Sequence, residues 1–509
     1  MSMLRERLLR HNKPSGNSPR AEAGALEAVA TAVPANSLQA EALSNEQDVA
    51  QGGEWATIGA HMECNEWGSF VMRRCSYASQ TLHGDYMLSE LAGGAELLLA
   101  LLPANGGEPE ATAGFSHEQL LYLDIETTGL GIGAGNVAFM IGIGFYEGEQ
   151  FIVEQMFIRD PGEELSMLHH LKEKLGSHPY LVTYNGKTFD WPIIKNRYIL
   201  NRIRAEIPIA GHFDFLYPSR SLWKHTMPSC RLGKVEEEQL GVIRKDDVPG
   251  SLAPALYFQY LAERDVSIVE GVFIHNELDI LSLAGLSVHF AKVLSGQSKL
   301  SAMGLEELYR LGVWLDKLSL SELAAQALEL LEQRICGTEA PEPQEGSDSY
   351  LLPLAQLYKQ RQRYADARSL WMLYVERKGE RTTASVEPYI ELSMHYEHRE
   401  KQYSLALQYA LQAVDQCWRQ QALKRSFGHR LQAKDNGFHA KGRGQAAKAV
   451  DKAQLAEAAN LEKRIQRLRQ KIAKAESRAA LSDSKPPARR RSRVATNPVE
   501  AVAVMDSLI

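Results

Sequence analysis

The sequence predicts an α/β domain built on one mixed sheet, then an all-α array of helical repeats, then a basic tail. Three observations carry this. Apolar strand patterns gather after residue 116 in the order strand, strand, strand, helix, strand. From Leu305 the pattern turns wholly helical and becomes self-similar at an offset of 38 to 39 residues. Between Trp418 and Arg493 the chain holds 21 Lys/Arg against 6 Asp/Glu, so a net charge of −6 leaves −21 on the remainder.

In chain order, residues 1–50 are rich in Ala, Ser, Asn, Pro and Glu without a sustained period, and read as disordered. Residues 51–115 read as an N-terminal extension of the α/β domain, with a strand at Ser69–Arg73 and a short helix at Ala95–Leu102. The α/β domain itself spans 116–295. Gln119–Ile125 is a strand that enters a turn at Thr127-Thr128-Gly129. Val137–Tyr146 and Phe151–Ile158 are apolar strands joined by a tight turn, which predicts a hairpin. A helix over Gly162–Leu175 and a strand over Tyr180–Tyr184 follow, then helices over Pro192–Arg204, Ala253–Glu263 and Ile268–Leu294.

Residues 300–418 carry the repeats. Ala355-x-x-Tyr358, Tyr364 and Ala367 recur as Ser393-x-x-Tyr396, Tyr403 and Ala406, with a fainter copy at Leu311-Gly312, Leu315 and Ala324. Small and aromatic residues at such spacings suit close packing of helix hairpins, of tetratricopeptide (TPR) type with a slightly longer period. The tyrosines and Trp371 read as packing residues. In the 419–509 tail, Ala458, Leu461, Ile465, Leu468, Ile472 and Ala475 alternate by three and four, which reads either as a short coiled coil or as one basic helix.

The chain has 509 residues, enough for about three domains. Its apolar runs fall far short of the ~20 residues that cross a bilayer, so no membrane partner is expected. Its first residues lack the apolar stretch of a signal peptide. Five cysteines without a C-x-x-C suit free thiols in a reducing, cytoplasmic setting. His61, Cys64, Cys75 and His83 could in principle ligate zinc, but their spacing is not that of compact zinc sites, and ordinary buried cysteine is the plainer reading.

Chemistry concentrates in acidic residues. Asp124 and Glu126 lie two apart on one strand, so both carboxylates point to the same face. Two like charges on an apolar strand are costly unless a cation neutralises them, and a hard divalent ion with oxygen ligands does so. Asp190 follows the strand end at Asn185 and precedes Pro192 at a helix start; alone it reads as a cap. His275 and Asp279 are four apart on a helix and share a face with Leu283 and Leu286; alone they read as a surface pair.

Taken in order, Asp124-Ile-Glu126-Thr-Thr-Gly, Asn185…Phe189-Asp190 and the late Asp279 resemble the DEDD 3′–5′ exonucleases of the ribonuclease H-like superfamily. More narrowly, four stretches resemble the YprB-like bacterial branch, which joins such a domain to tetratricopeptide-like helices. They are His212-Phe-Asp214-Phe-Leu-Tyr-Pro-Ser-Arg220, Cys230-Arg-Leu-x-x-Val-Glu, Asp247-Val-Pro-Gly250 and His275-Asn-x-x-Asp279. The resemblance implies a ribonuclease H-like fold and two Mg²⁺ or Mn²⁺ ions held by Asp124, Glu126, Asp190 and Asp279. It implies His275 as the base for an attacking water. The pattern also departs from the family. Branches with a catalytic His place it five residues before the last Asp, and here it stands at four, the spacing another branch gives to Tyr.

Thr127, Asn185, Lys187, Arg220, Arg231 and Lys234 are the candidate nucleic-acid contacts, since phosphate needs donors beside an acidic metal site. The expected function is metal-dependent hydrolysis of single-stranded DNA or RNA from the 3′ end. The repeats would offer a protein-docking surface and the basic tail phosphate contacts. The competing expectation is a catalytically inactive nucleic-acid-binding adaptor that recruits partners through its repeats.

Overall fold

In the computed structural model the described residues are 53–103, 114–129, 131, 135–204, 209–337, 346–432 and 459–477. The predicted disorder of residues 1–50 and the basic stretch after 477 lie outside them. The described residues form nine strands: β1 (Ala60–Asn65), β2 (Gly68–Ala78), β3 (Leu82–His83), β4 (Tyr86–Met87), β5 (Leu120–Thr127), β6 (Ala138–Glu147), β7 (Gln150–Phe157), β8 (Tyr180–Thr183) and β9 (Gly211–Asp214). Six helices are interleaved with or follow the later strands: α1 (Glu164–Ser177), α2 (Asp190–Leu200), α3 (Leu216–Trp223), α4 (Leu232–Val235), α5 (Ala253–Glu263) and α6 (Ser267–Leu294). The remainder is helical, with α7 (Leu305–Lys317), α8 (Ser321–Cys336), α9 (Leu351–Gln360), α10 (Tyr364–Lys378), α11 (Glu387–His398), α12 (Tyr403–Gln432) and α13, at 459–477.

Seven strands form one mixed sheet in the order β1-β2-β7-β6-β5-β8-β9. The pairs from β1 to β5 are antiparallel, and β8 and β9 extend the sheet parallel to β5. β6 is buried along nearly its whole length because helices cover both faces, which is why its sequence is apolar without alternation. On β5, Leu121, Leu123 and Ile125 enter one core while Leu120 and Tyr122 enter the other, so alternation carries Asp124 and Glu126 onto the Tyr122 face. Helix α6 belongs to both cores: Val269, Val272 and Phe273 join the first, and Ile280 to Leu294 the second.

The sequence underread the segment before residue 100. Instead of one short strand, β1 and β2 add a hairpin to the sheet edge at β7. Their exposed outer face breaks the apolar pattern that marks a covered strand. The zinc candidates fall apart here. Cys64 faces Ser69 across the hairpin, whereas Cys75 faces Val153 six residues further along β2, about 20 Å away at ~3.4 Å per residue. His83 instead bonds the Ser282 hydroxyl, at 2.7 Å.

Helices α7/α8, α9/α10 and α11/α12 pack as successive pairs, and the repeated residues land in equivalent buried places. Ala324, Ala367 and Ala406 are fully buried, as are Ala355 and Ser393. The first pair shares its core with the sheet domain through Leu311, Trp314 and Leu315.

The tail begins inside a helix: α12 runs through Trp418 without a break. The three-four stripe of α13 does not await a second chain: Leu461, Ile465 and Leu468 are buried against residues of α11 and α12. Part of the tail's positive charge is also spent internally. The buried Glu397 carboxylate accepts from Arg464, Arg467 and Lys471 at 2.8 to 3.0 Å. Burial alone would raise its pKa, but the bonds from Arg467 and Lys471 outweigh that and hold it at about 2. Glu397→Gln is therefore expected to loosen α13 by about 1–3 kcal/mol, seen as faster amide exchange confined to 459–477. Because the folded pKa is depressed, the same docking is lost as pH falls from about 4.5 towards 2 in the native protein.

Candidate active site

One level of the sheet organises the site. Arg73 on β2 stands opposite Gln155 on β7, Gln155 opposite Gly142 on β6, and Gly142 opposite Asp124 on β5. Helix α6 crosses this row and lays Asn276 over Gly142. Arg73 Nη1 donates to Gln155 Oε1 at 2.7 Å, Gln155 Nε2 to Asn276 Oδ1 at 2.9 Å, and Asn276 Nδ2 to Asp124 Oδ2 at 2.9 Å. Arg73 also meets Glu277, whose other oxygen accepts from the Tyr77 hydroxyl. The edge hairpin thus fixes the rotamer of an acidic residue three strands away. Gly142 is what admits Asn276, because a Cβ there would overlap the Asn276 amide. Gly142→Ala should cost about 1–3 kcal/mol by overpacking, measured by urea unfolding, and should turn Asp124 loose from its amide.

Asp190 opens α2 beneath a loop that Asp214 holds. Asp214 Oδ1 accepts from the Asn185 and Leu216 amides at 2.7 and 3.1 Å, and Oδ2 from the Lys187 amide at 3.0 Å. This clamp stabilises the left-handed backbone of Asn185, φ 67°, which swings the chain from β8 into α2.

On α6, His275 and Asp279 face the same side, with His275 Nε2 3.7 Å from Asp279 Oδ2. His275 Nδ1 lies 2.9 and 2.8 Å from the two oxygens of Asp247. A carboxylate only accepts, so Nδ1 carries the proton and Nε2 presents its lone pair to the site. Gly250 packs against that nitrogen, and a Cβ there would stand 3.0 Å from it. Arg244 completes the group. Its guanidinium donates to Glu236 at 2.8 and 2.5 Å, to Asp247 at 3.0 Å, and to Asp279.

The carboxylates feel one another. Burial raises the pKa of Asp124 well above the ordinary range, and Asp279, Asp190 and Glu126 raise it further. Burial followed by Asp279 and Asp190 pushes Glu126 up to about 8. Burial lifts Asp190 to about 7, although backbone hydrogen bonds at Asp190 and Ile125 oppose it. Clustered carboxylates that resist ionisation are a donor set for a hard divalent cation, so the residues fit the implied metal. Among the described residues, however, no three His, Cys, Asp or Glu side chains already stand in a metal-binding arrangement.

The expected phosphate contacts fare unevenly. Thr127 turns its hydroxyl onto the Gly129 carbonyl at 2.7 Å and is buried, so its side chain shapes the turn. Asn185 Oδ1 accepts from the Thr188 hydroxyl. Lys187 lies over the Tyr217 ring at 5.9 Å. Arg220 and Arg231 are exposed. Lys234 is engaged by Glu237 and Glu238, both at 2.8 Å, because one helical turn places all three together. Sequence reasoning assigned no role to Gln155, Asp214, Glu236, Arg244, Asp247 or Asn276. Asp214, Glu236, Asp247 and Asn276 nevertheless lie inside the stretches that carry the family resemblance.

The chain matches the RNase_H superfamily family RNase_H_2 over residues 121–291. It is 34% identical over 363 residues to the uncharacterized protein YprB of Bacillus subtilis (strain 168), covering 71% of this chain and 84% of that protein. A solved structure, the family B DNA polymerase from the hyperthermophilic archaeon Pyrobaculum calidifontis, aligns at 14% identity with a TM-score of 0.28, over 39% of this chain and 29% of the polymerase chain.

Proposed function

The chain belongs to the YprB family within the RNase_H superfamily, and from that membership we propose that it is a metal-dependent 3′–5′ exonuclease of single-stranded DNA or RNA. The observation that carries it is the convergence of Asp124, Glu126, Asp190 and Asp279, each of the first three raised in pKa by burial and by its acidic neighbours. These residues would hold Mg²⁺ or Mn²⁺ ions, two in the active complex. When bound, such ions supply an activated water and neutralise charge on the phosphodiester.

The chain's own groups divide the remaining work. Asn276 holds the Asp124 carboxylate in one rotamer. His275 Nε2 takes the proton of the attacking water, and Asp247 stabilises the imidazolium that results. Asp214 fixes the loop from which the exposed Lys187 meets the substrate backbone. We place the helix pairs α7 to α12 as a TPR-like docking surface for a protein partner. The cytoplasmic assignment rests on the five free cysteines and on the lack, among the described residues, of a helix long and apolar enough to cross a membrane.

A non-catalytic adaptor has one observation in its favour, the ion pair that Arg244 already makes with Asp279. The two part in one experiment: full-length protein with a 5′-labelled oligonucleotide, as DNA and as RNA, in Mn²⁺ or in EDTA. A ladder shortening from the 3′ end in Mn²⁺ alone supports the nuclease. Intact substrate that nonetheless shifts on a native gel supports the adaptor.

A further inference from the structure

The Gly241–Gly250 segment threads over the acidic cluster and delivers a cation of the protein's own. Arg244 is largely buried, and three carboxylates accept from its guanidinium: Glu236 through Nε and Nη2, Asp279 through Nη2, and Asp247 through Nη1, with the protonated Nδ1 of His275 3.3 Å from Nη1. Glu236, its bidentate partner, is fully buried. A planar fork with this many acceptors is a fixed device rather than a solvated arm. Its position matters because, among the described residues, Asp279 is the member of the carboxylate set with a positive partner, whereas Asp124, Glu126 and Asp190 form no ion pair there.

We propose that Arg244 is a resident cation holding the Asp279 corner of the site. The free chain then takes one divalent ion, at Asp124, Glu126 and Asp190. A second ion enters only when a nucleic-acid phosphate draws the guanidinium off Asp279. Phosphate is the natural competitor, since it offers the same bidentate oxygen geometry as the carboxylate it replaces. The consequence is a site whose second ion is coupled to substrate, which keeps the nucleic-acid-free protein from assembling a full catalytic centre. The proposal rests on the carboxylates binding metal at all, as set out above.

The test is Mn²⁺ binding to the full chain without nucleic acid, read as loss of the free-ion signal in electron paramagnetic resonance. Arg244→Gln alone would leave Glu236 buried and unpaired, so the informative variant is Arg244→Gln with Glu236→Gln, which removes both charges together. Wild type is expected to take up one ion per chain. The double variant should take up two, the second at least about tenfold tighter than wild type binds it. Adding a single-stranded phosphorothioate oligonucleotide to wild type should bring its uptake to two. Equal stoichiometry and affinity in wild type and double variant, whether one ion or two, overturn the role of Arg244. Asp124→Asn separates that failure from a deeper one. If it abolishes the wild-type ion, the carboxylate site stands without Arg244 gating; if the ion survives, both readings fall.

Discussion

Asp124→Asn should lower phosphodiester hydrolysis on the order of 10³-fold, about 4 kcal/mol of transition-state stabilisation, while leaving the fold intact. The substitution keeps the shape of the side chain and its contact with Asn276, and removes only the charge. In the metal-free protein it should also raise stability. The Asp124 carboxylate is held in the fold against burial and against Asp279, Asp190 and Glu126, so neutralising it relieves strain that only a cation otherwise relieves. Activity and stability moving in opposite directions is the signature of a functional carboxylate. Loss of both together, measured by initial rates and thermal melting in EDTA, would mark Asp124 as a structural residue.

The second large effect is on pH and metal together. Glu126 titrates near 8 in the fold against an ordinary 4.5, and Asp190 near 7 against 3.8. Both folded values lie above the unfolded ones, so the folded chain binds more protons, and stability falls as pH rises through that window. In EDTA, the contribution of these groups is fully present below about pH 4 and is lost by about pH 8. The combined loss is several kcal/mol, less than the sum of two independent shifts because the two groups are coupled. Divalent ions should reverse the trend, because they bind the ionised carboxylates of the folded state only. Melting curves at pH 5.5 and 8 are expected to show a lower midpoint at pH 8 in EDTA and recovery in Mn²⁺. A midpoint in EDTA that is level or rises between those values would contradict the clustered carboxylates.

Much of this was legible in the residues. Period-two alternation placed Asp124 and Glu126 on one face, and the apolar runs of β6 and β7 on either side of a tight turn marked a hairpin. What escaped were contacts whose partners are far apart in sequence. Asn276 touches Asp124 from 152 residues away, and only the register of four strands brings Arg73 into the same row. Arg244 and Asp247 sit in an irregular segment where no periodicity aims a side chain, so their convergence on His275 and Asp279 belongs to tertiary structure alone. Lys234 and the basic residues of α13 show a different limit: the sequence does not reveal that acids already pair with them, Glu238 one helical turn away and Glu397 about 70 residues away.

The most direct test is a crystal of the full chain grown with Mn²⁺ and measured near the manganese absorption edge. Anomalous density among the carboxylates of Asp124, Glu126 and Asp190 is the expected result. A well-ordered site with no such density, at pH 8 and saturating Mn²⁺, would contradict the assignment of these residues as metal ligands and with it the nuclease.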